Sequence, residues 1–327
     1  MDVTKTHLLK DLTHKGPLIS CRFAPGDKYI FTGSEDYKVW RIEIASGTEV
    51  KFPTDAWVRG LAFLPELDQL ITAGYDGRLI WWPMSGDSPT PVRTVEAHHG
   101  WVRAVTVSPD GKLVVSVGND QTVAVFEASS GKLLNRLTGH ESHIYNAAFH
   151  PAEPGQLVTG DLHCHINHWD LKTGSKVRTW QAESLQKYDK TFVATIGGFR
   201  GMTFTSDGKH LLCSGITNVS NAFAGVGNPS VVSFNWSDGK QQIEHLSKGK
   251  LRGVAWGVAA LPAGIRVATV GGNGGYLLFW KPEDANEFHN MKLKDNGRDL
   301  ALSHDSSMLA VAHSNGHVSV LRMDEKT

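Results

Sequence analysis

The sequence predicts an all-β chain that folds as a seven-bladed β-propeller of four-stranded antiparallel blades. One pattern occurs seven times in the 327 residues: an apolar strand, a turn such as Ser-Pro-Asp-Gly, an apolar strand ending in Ser or Thr, a polar turn and a third apolar strand. A period of about 40–45 residues with short strands is typical of a propeller. The equivalent polar-turn residues are Asp36, Asp76, Asp120, His163, Asn228, Asn273 and Asn315.

The third repeat shows each element most clearly. Its first strand and turn occupy residues 101–111, its second strand follows at 113–116, Asp120 lies in the polar turn, and its third strand covers 123–126. Because each blade must bury its faces against its neighbours, the array predicts a single domain over residues 1–327. The predicted blade cores are about 14–50, 54–93, 98–137, 140–180, 195–244, 251–293 and 297–323, the last completed by a strand over 6–12.

The ends of the chain predict how the ring closes. The last repeat supplies only three strands, whereas residues 6–12 form a plausible strand with no partner in the first repeat. We expect this strand to pair with residues 317–323, which would close the ring and cover an exposed edge. Helix should be almost absent. The expected core lies in the first and second strands, for example Val105, Val107, Val114, Val115, Ala147, Phe149 and Leu309.

Four polar positions recur within the repeats. In the fourth repeat they are His140 after a glycine, Thr159 at the end of the second strand, His163 in the turn and Trp169 on the third strand. This set resembles the WD40 repeat family, whose blades carry Gly-His, Ser or Thr, Asp and Trp at these places. The resemblance covers nearly the whole chain, which looks like the compact WD-repeat proteins of bacteria. Here His163 takes the Asp place.

The resemblance implies that these residues form a structural hydrogen-bond relay inside each blade. Such a relay satisfies buried polar groups, each of which costs about 1–3 kcal/mol when unpaired. A Ser/His/Asp nucleophilic site is the alternative, but the hydroxyl would lie inside a sheet without a cleft. The assigned positions are His14, Thr32 and Asp36 in the first repeat, Thr72, Asp76 and Trp82 in the second, His98, Ser116 and Asp120 in the third, and His140, Thr159 and Trp169 in the fourth.

The gap between His163 and Asn228 is about 20 residues longer than the period. The excess falls in two insertions, residues 181–198 before the fifth repeat and residues 216–229 between its second and third strands. Alternating strand direction places both on one face, which in this family is the top surface. The insertions either pack on each other, with Phe223 covering Tyr188 or Phe192, or form a binding ridge, and the two interpretations are compatible.

Candidate partner-binding residues lie in these insertions and in equivalent loops of neighbouring blades. Asparagine amides offer donors and acceptors, and exposed aromatic side chains are frequent anchors of interfaces. For each aromatic residue the alternative is packing against the adjacent blade. The candidates are Tyr188, Lys190, Asn218, Asn221 and Phe223 in the insertions, and Trp57, Tyr75 and Trp101 in the neighbouring blades.

Composition excludes several classes of partner. The 33 basic and 33 acidic residues balance, which argues against a general binder of nucleic acid or acidic membranes. Three scattered cysteines, Cys21, Cys164 and Cys213, do not form a disulfide framework. The N-terminal residues lack a signal-peptide profile, and no apolar run approaches the ~18 residues that span a bilayer. We therefore expect a cytoplasmic monomer.

No motif predicts catalysis. His163, Cys164, His165 and His168 invite a metal hypothesis, but strand alternation would place two on each face, which does not make a closed tetrahedral site. The channel-facing first strands carry few carboxylates, with Asp299 as the exception. Catalytic residues, a metal and a cofactor are therefore not predicted.

The sequence favours a non-enzymatic protein-interaction scaffold. It would bind a protein partner, whose identity the sequence does not reveal, on the top face and chiefly at the insertions of the fourth and fifth repeats. A propeller that binds a small molecule or a glycan, and a hydrolase-like enzyme, are the alternatives.

Overall fold

The computed structural model describes residues 2–221, 226–249 and 251–325. Seven four-stranded antiparallel sheets follow one another along the chain, which confirms the predicted seven-bladed propeller. Among the described residues the helical elements are short 3-10 turns, and none is long and apolar enough to cross a membrane. These turns are Val3–Lys5, Pro65–Leu67, Glu183–Leu185 and Pro262–Gly264.

The first strand, β1 (His7–Thr13), belongs to the last blade, and blades 1 to 4 each use four consecutive strands. Within every blade the first strand lies nearest the central channel. The strands are β2 (Leu18–Phe23), β3 (Tyr29–Ser34), β4 (Lys38–Glu43) and β5 (Glu49–Pro53) in blade 1; β6 (Val58–Leu64), β7 (Gln69–Gly74), β8 (Arg78–Pro83) and β9 (Arg93–Glu96) in blade 2; β10 (Val102–Val107), β11 (Leu113–Gly118), β12 (Val123–Glu127) and β13 (Leu133–Leu137) in blade 3; and β14 (Ile144–Phe149), β15 (Gln156–Asp161), β16 (His165–Asp170) and β17 (Ser175–Gln181) in blade 4.

A separate two-stranded hairpin interrupts the array after blade 4, and its strands are β18 (Gln186–Asp189) and β19 (Ala194–Gly197). Blade 5 contains the longest strands of the molecule. The remaining strands are β20 (Gly201–Phe204), β21 (His210–Asn221), β22 (Val226–Asn235) and β23 (Gln241–His245) in blade 5; β24 (Gly253–Ala260), β25 (Arg266–Gly272), β26 (Tyr276–Trp280) and β27 (His289–Lys292) in blade 6; and β28 (Gly297–Leu302), β29 (Met308–His313) and β30 (His317–Arg322) in blade 7.

Tight turns between the first and second strands explain the recurrent Ser-Pro-Asp-Gly pattern. The Ser108 hydroxyl accepts the Leu113 amide at 2.9 Å and donates to the Asp110 carboxylate at 2.6 Å. Gly111 closes the turn with φ of +70°, a conformation that glycine adopts without a steric penalty. The turn chemistry therefore fixes where each hairpin reverses, and the apolar residues on either side then fall in register.

The core lies between adjacent blades. One cluster joins Leu79 and Trp81 of blade 2 to Val114 and Phe126 of blade 3, and all four side chains are buried. The predicted core residues of second strands, such as Val114, are fully buried. Val107 and Ala147 are only half-buried, because first strands turn part of one face toward the channel.

The ring closes through β1, which pairs antiparallel with β30. The register places Leu12 opposite Val318 and His7 opposite Arg322. Leu12 is buried in a cluster that it shares with Val318 of blade 7 and with Leu18 of blade 1. The strand thus completes the last sheet and contributes to the contact between the last and first blades.

Two leucines on β1 allow a test of this closure. Leu12→Ala should lower the free energy of unfolding by about 2–5 kcal/mol, because it removes a buried side chain from the core. Leu9→Ala is the matched control, since Leu9 is 46% exposed against 4% for Leu12. Denaturant unfolding of both variants measures the difference. Equal stability of the two variants would contradict a permanently paired β1.

Candidate functional site

A central cavity is lined by residues from all seven blades, and its mouth lies at the β-bulges of the first strands. The register of β6 against β7 shifts at Arg59, and that of β10 against β11 shifts at Arg103. A bulge leaves its extra residue outside the ladder and re-aims the side chain. The residues at this place are Ile19, Arg59, Arg103, Tyr145, Trp256 and Arg298, with Arg200 immediately before β20.

Small residues beside the bulges bring the first strands close together. A Cβ atom at Gly257 would lie 2.6 Å from the Leu300 amide nitrogen, so only glycine fits this approach of blades 6 and 7. The cavity between the strands is correspondingly narrow, at about 80 Å³. Across it, the Arg59 guanidinium donates to the Arg200 carbonyl at 3.1 Å, which joins blade 2 to blade 5.

Aromatic rings and guanidinium groups alternate around the mouth. Tyr75 stacks on Trp101 with centroids 4.4 Å apart and planes at 8°. The Arg103 guanidinium carbon lies 4.6 Å from the Trp101 centroid and 4.6 Å from that of Tyr145. This aromatic–arginine row consists of Trp57, Tyr75, Trp101, Arg103, Tyr145, Arg200, Trp256 and Arg298.

Of the predicted residues, Trp57, Tyr75 and Trp101 come together as the beginning of this row. Trp57 is half-buried and donates its indole N–H to the Glu35 carbonyl at 3.0 Å, whereas Trp101 is 43% exposed. Trp101 is also packed, since Tyr75 stacks on it and the Arg103 guanidinium group lies over its ring. Trp57 is thus held by a hydrogen bond, and Trp101 is the more exposed of the two rings.

The insertions form two hairpins, β18–β19 and the extended ends of β21 and β22. They pack on each other near Leu185, which is buried, and the Lys187 ammonium group donates to the Val219 carbonyl at 2.6 Å. Tyr188 is 51% exposed, and Lys190 and Asn218 are also exposed. Phe223 lies outside the described residues, as does the side chain of Asn221, whose backbone pairs with Val226.

The arginines of the row were not among the predicted site residues. A signal was present: Trp-Val-Arg occurs at residues 57–59 and again at 101–103, at the same place in successive repeats. The channel-facing strands were predicted to be apolar, but Arg22, Arg59, Arg103 and Arg200 all line the cavity. For Arg59 and Arg103 the reason is that a bulge breaks the alternation that assigns side chains to strand faces.

Buried hydrogen-bond relays lie deeper in the blades. In blade 3, His98 contacts the Ser116 hydroxyl at 2.7 Å and the Asp120 carboxylate at 2.9 Å. Burial raises the pKa of Asp120, but the bonds from His98 and Thr122 outweigh it, and the net pKa lies below the usual aspartate value. These hydrogen bonds therefore stabilise the ionised form of Asp120 in the folded state.

Comparison with known proteins identifies these repeats. The family model described as WD domain, G-beta repeat matches residues 6–40, 89–127 and 131–170. The chain contains WD40 repeats. Each matched segment spans the outer strand of one blade and three strands of the next, and the first begins in β1, which lies in the last blade.

Segments of this chain are similar in sequence to segments of several curated proteins. The chain is 30% identical to a guanine nucleotide-binding protein subunit beta of Zea mays over 38% of its own length and 34% of that relative. It is 30% identical to the nuclear distribution protein nudF of Aspergillus niger over 48% of its length and 37% of the relative. It is 29% identical to the protein HIR1 of Yarrowia lipolytica over 35% of its length and 12% of the relative. The chain thus spans between 12% and 37% of the length of these relatives.

The WD40 relay of blade 4 differs from the sequence-based assignment. His140 contacts the Thr159 hydroxyl at 2.7 Å, and Trp169 donates to the same hydroxyl at 2.7 Å. The carboxylate opposite His140 belongs to Asp161, at 2.8 Å, and not to a residue at the His163 position. Asp161 is the last residue of β15, and the turn after it, with Cys164 at φ of +59°, carries His163 away.

The relays of blades 1 and 2 are partial. In blade 2, Trp82 donates to the Thr72 hydroxyl at 3.0 Å, while Asp76 binds Arg78 in place of a histidine. In blade 1, His14 lies 3.4 Å from the Ser34 hydroxyl and 3.6 Å from the Asp36 carboxylate. The Thr32 hydroxyl is buried without a hydrogen-bond partner.

The histidine-rich segment of blade 4 is divided among separate contacts. Cys164 lies in the turn before β16 and donates its thiol to the Leu185 carbonyl at 3.3 Å, and burial raises its pKa to about 12. His168 bonds to Gln156 at 2.5 Å. The strand alternation expected for this segment begins only at His165. Across the described ranges, no group of three metal-ligating side chains is placed to hold an ion.

Blades 3 and 4 offer a matched pair for measuring the relay. Thr159→Val removes the partner of both His140 and Trp169, so it should lower the free energy of unfolding by about 1–3 kcal/mol. Ser116→Ala should cost less, because Phe126 in blade 3 has no N–H to leave unpaired. Denaturant unfolding measures both. A loss below ~0.5 kcal/mol for Thr159→Val would show that this relay contributes little.

Proposed function

We propose that this WD40-repeat propeller is a non-enzymatic scaffold that binds a protein partner on its insertion face. The insertion face is the surface that carries the β18–β19 hairpin, the extended ends of β21 and β22, and the aromatic–arginine row. The identity of the partner is open. The general role of WD40 repeats as protein-interaction scaffolds supports the proposal at the level of the class.

The aromatic–arginine row is the observation that carries the proposal. Trp, Tyr and Arg are the residues in which interface binding energy concentrates, and here they form one continuous surface from blade 2 to blade 7. Trp101 is 43% exposed, and Tyr188 on the adjacent hairpin is 51% exposed. A rigid, partly exposed aromatic ring loses little entropy on binding, which suits it to act as an anchor.

The channel carboxylate supports a scaffold in preference to a hydrolase. Among the residues that the structure describes, Asp299 is the one acidic residue that lines the cavity. Its carboxylate already accepts the Cys21 amide at 3.1 Å, the Arg22 guanidinium at 2.6 Å and the Leu300 amide at 2.9 Å. These bonds engage the carboxylate in joining the first strands of blades 7 and 1, and they occupy it with protein donors.

The three buried free cysteines fit the reducing cytoplasm, where thiols stay unpaired. The cytoplasmic location is therefore part of the proposal, and a monomeric state is a separate part of it. Size-exclusion chromatography with light scattering tests the second.

Affinity capture with matched surface variants tests the proposed function. Tyr188→Ala and Trp101→Ala should each weaken partner binding by about 2 kcal/mol or more while stability stays nearly constant. Leu134→Ala is the control, because Leu134 is 52% exposed on β13, an outer strand. Quantitative mass spectrometry of proteins captured by each variant provides the measurement.

A protein captured by the wild type and the Leu134 variant, but lost with Tyr188→Ala or Trp101→Ala, is the expected partner. Val219→Ala serves as a second control, since Val219 is a buried residue of the extended end of β21 and its truncation should lower stability. Undiminished capture by both aromatic variants would reject the insertion face as the binding surface.

A further inference from the structure

The cavity at the channel mouth concentrates positive charge in a chain whose total charge is zero. Arg22, Arg59, Arg103 and Arg200 line it together with a single carboxylate, Asp299, so the lining carries a formal charge of +3. The residues come from blades 1, 2, 3, 5 and 7. The local field at this point is therefore strongly positive although the molecule as a whole is balanced.

Only one of these arginines is neutralised. Arg22 forms an ion pair with Asp299 at 2.6 Å. Arg103 bonds to the neutral Asn119 side chain at 2.8 Å, and Arg59 bonds to a backbone carbonyl. Within the described part of the chain, Arg59, Arg103 and Arg200 have no carboxylate within ion-pair distance, and Arg200 Nε is buried without a hydrogen-bond partner. The cluster thus lacks a carboxylate partner for three of its partly buried cations.

Without a ligand, burial and mutual repulsion disfavour the charged state of these arginines in the folded protein. Burial lowers the pKa of Arg200 from the usual arginine value, and the like charges of Arg59 and Arg103 lower it further. Like charges in a partly desolvated site repel more strongly than in water. An anion placed among them would remove the repulsion and supply the missing acceptors.

Aromatic stacking prepares the guanidinium groups for this role. Arg200 lies 5.3 Å from the centroids of both Tyr145 and Trp256, and Arg103 lies between Trp101 and Tyr145. Stacking occupies the faces of a guanidinium group and leaves the N–H donors at its edge available for a planar or tetrahedral oxyanion. The row therefore holds its arginines in place before any ligand arrives.

The size of the cavity restricts the ligand. About 80 Å³ holds a few water molecules or one oxyanion group, but not an entire metabolite or a nucleotide. The aromatic side chains beside it are partly exposed, and Trp101 is the most exposed of them at 43%, which suits the remainder of a longer ligand. A narrow recess of this kind also differs from the extended basic stripe that follows a nucleic-acid backbone.

We propose that the cavity receives one oxyanion group, a carboxylate or a phosphate, carried by a side chain of the protein partner. Arg59, Arg103 and Arg200 bind the oxyanion, and the aromatic rings contact the flanking peptide. This inference rests on the proposed function, because it specifies how a partner bound on the insertion face would be recognised.

The test uses the full chain and three short peptide probes that differ only at the central residue, which is phosphoserine, glutamate or serine between glycines. Calorimetry at two salt concentrations measures each affinity. At least one acidic peptide should bind about tenfold or more tightly than the serine peptide, and its affinity should fall as salt rises. The preferred acidic peptide distinguishes phosphate from carboxylate. Equal binding of all three peptides would overturn the proposal.

Variants assign the binding to the cavity. The double variant Arg59→Gln with Arg200→Gln should weaken binding of the preferred acidic peptide by about tenfold or more. Arg178→Gln is the matched control, because Arg178 is also stacked between two rings, Trp180 and Trp236, but does not line the cavity. Wild-type affinity in the folded double variant would overturn the proposal.

A measurement on the wild-type protein keeps the proposal testable if the double arginine variant fails to fold. Inorganic phosphate should raise the Tm of the wild type above its value in chloride at equal ionic strength, since a ligand that binds the native state stabilises it. No difference between the two salts would count against the site. An oligothymidylate competitor tests for nucleic acid. If it displaced the bound acidic peptide at a lower concentration than free acidic peptide does, the occupant of the cavity would be a nucleic acid and not a peptide.

The test of the oxyanion site can fail without the failure of the proposed scaffold function. Tyr188→Ala leaves the arginines and their stacking partners unchanged, and Trp101→Ala removes one ring beside Arg103 while Tyr75 and Tyr145 remain. Partner capture that depends on those aromatic residues but persists in the double arginine variant would refute this inference and leave the scaffold function standing.

Discussion

The backbone ladder between β1 and β30 is the constraint on which the rest of the propeller depends. A blade is a sheet with two apolar faces, and it can bury them only against its two neighbours. Without β1, the last blade would keep three strands, an open edge and an unfilled place in the cluster that contains Leu12 and Leu18. Joining the two ends of the chain in one sheet makes the array a ring and gives every blade two neighbours.

Closing the ring also creates the candidate site. Seven first strands converge on one axis, and each carries at the same place a bulge or its equivalent. Whatever residues the repeats supply there are brought together at one rim. In this chain, Arg103, Arg200 and Arg298 alternate with aromatic rings and Arg59 lines the same cavity, so charges that are dispersed in the sequence become a local positive field. Balanced composition therefore says little about the electrostatics of the channel.

Polar residues serve two separate purposes in the molecule. The relays around His98 and His140 are buried and pair almost all of their polar atoms with one another, which is the condition under which a buried network stabilises a fold. The arginines at the channel mouth are only partly satisfied and repel one another. Unsatisfied groups of this kind reduce stability, and proteins commonly retain them where they bind something else.

The sequence by itself determined the number of blades, the strands and the turns, because repeat period, apolar alternation and turn residues such as Gly111 act over a few neighbouring positions. It also indicated the relay histidines and three members of the aromatic row. Only the tertiary structure decided that Asp161 takes the carboxylate place predicted at His163, since the path of the turn sets which side chain reaches His140. Likewise, the contact of Arg59 with Arg200 spans 141 positions. Contacts of that range follow from closure of the ring, which brings together residues that share no local pattern.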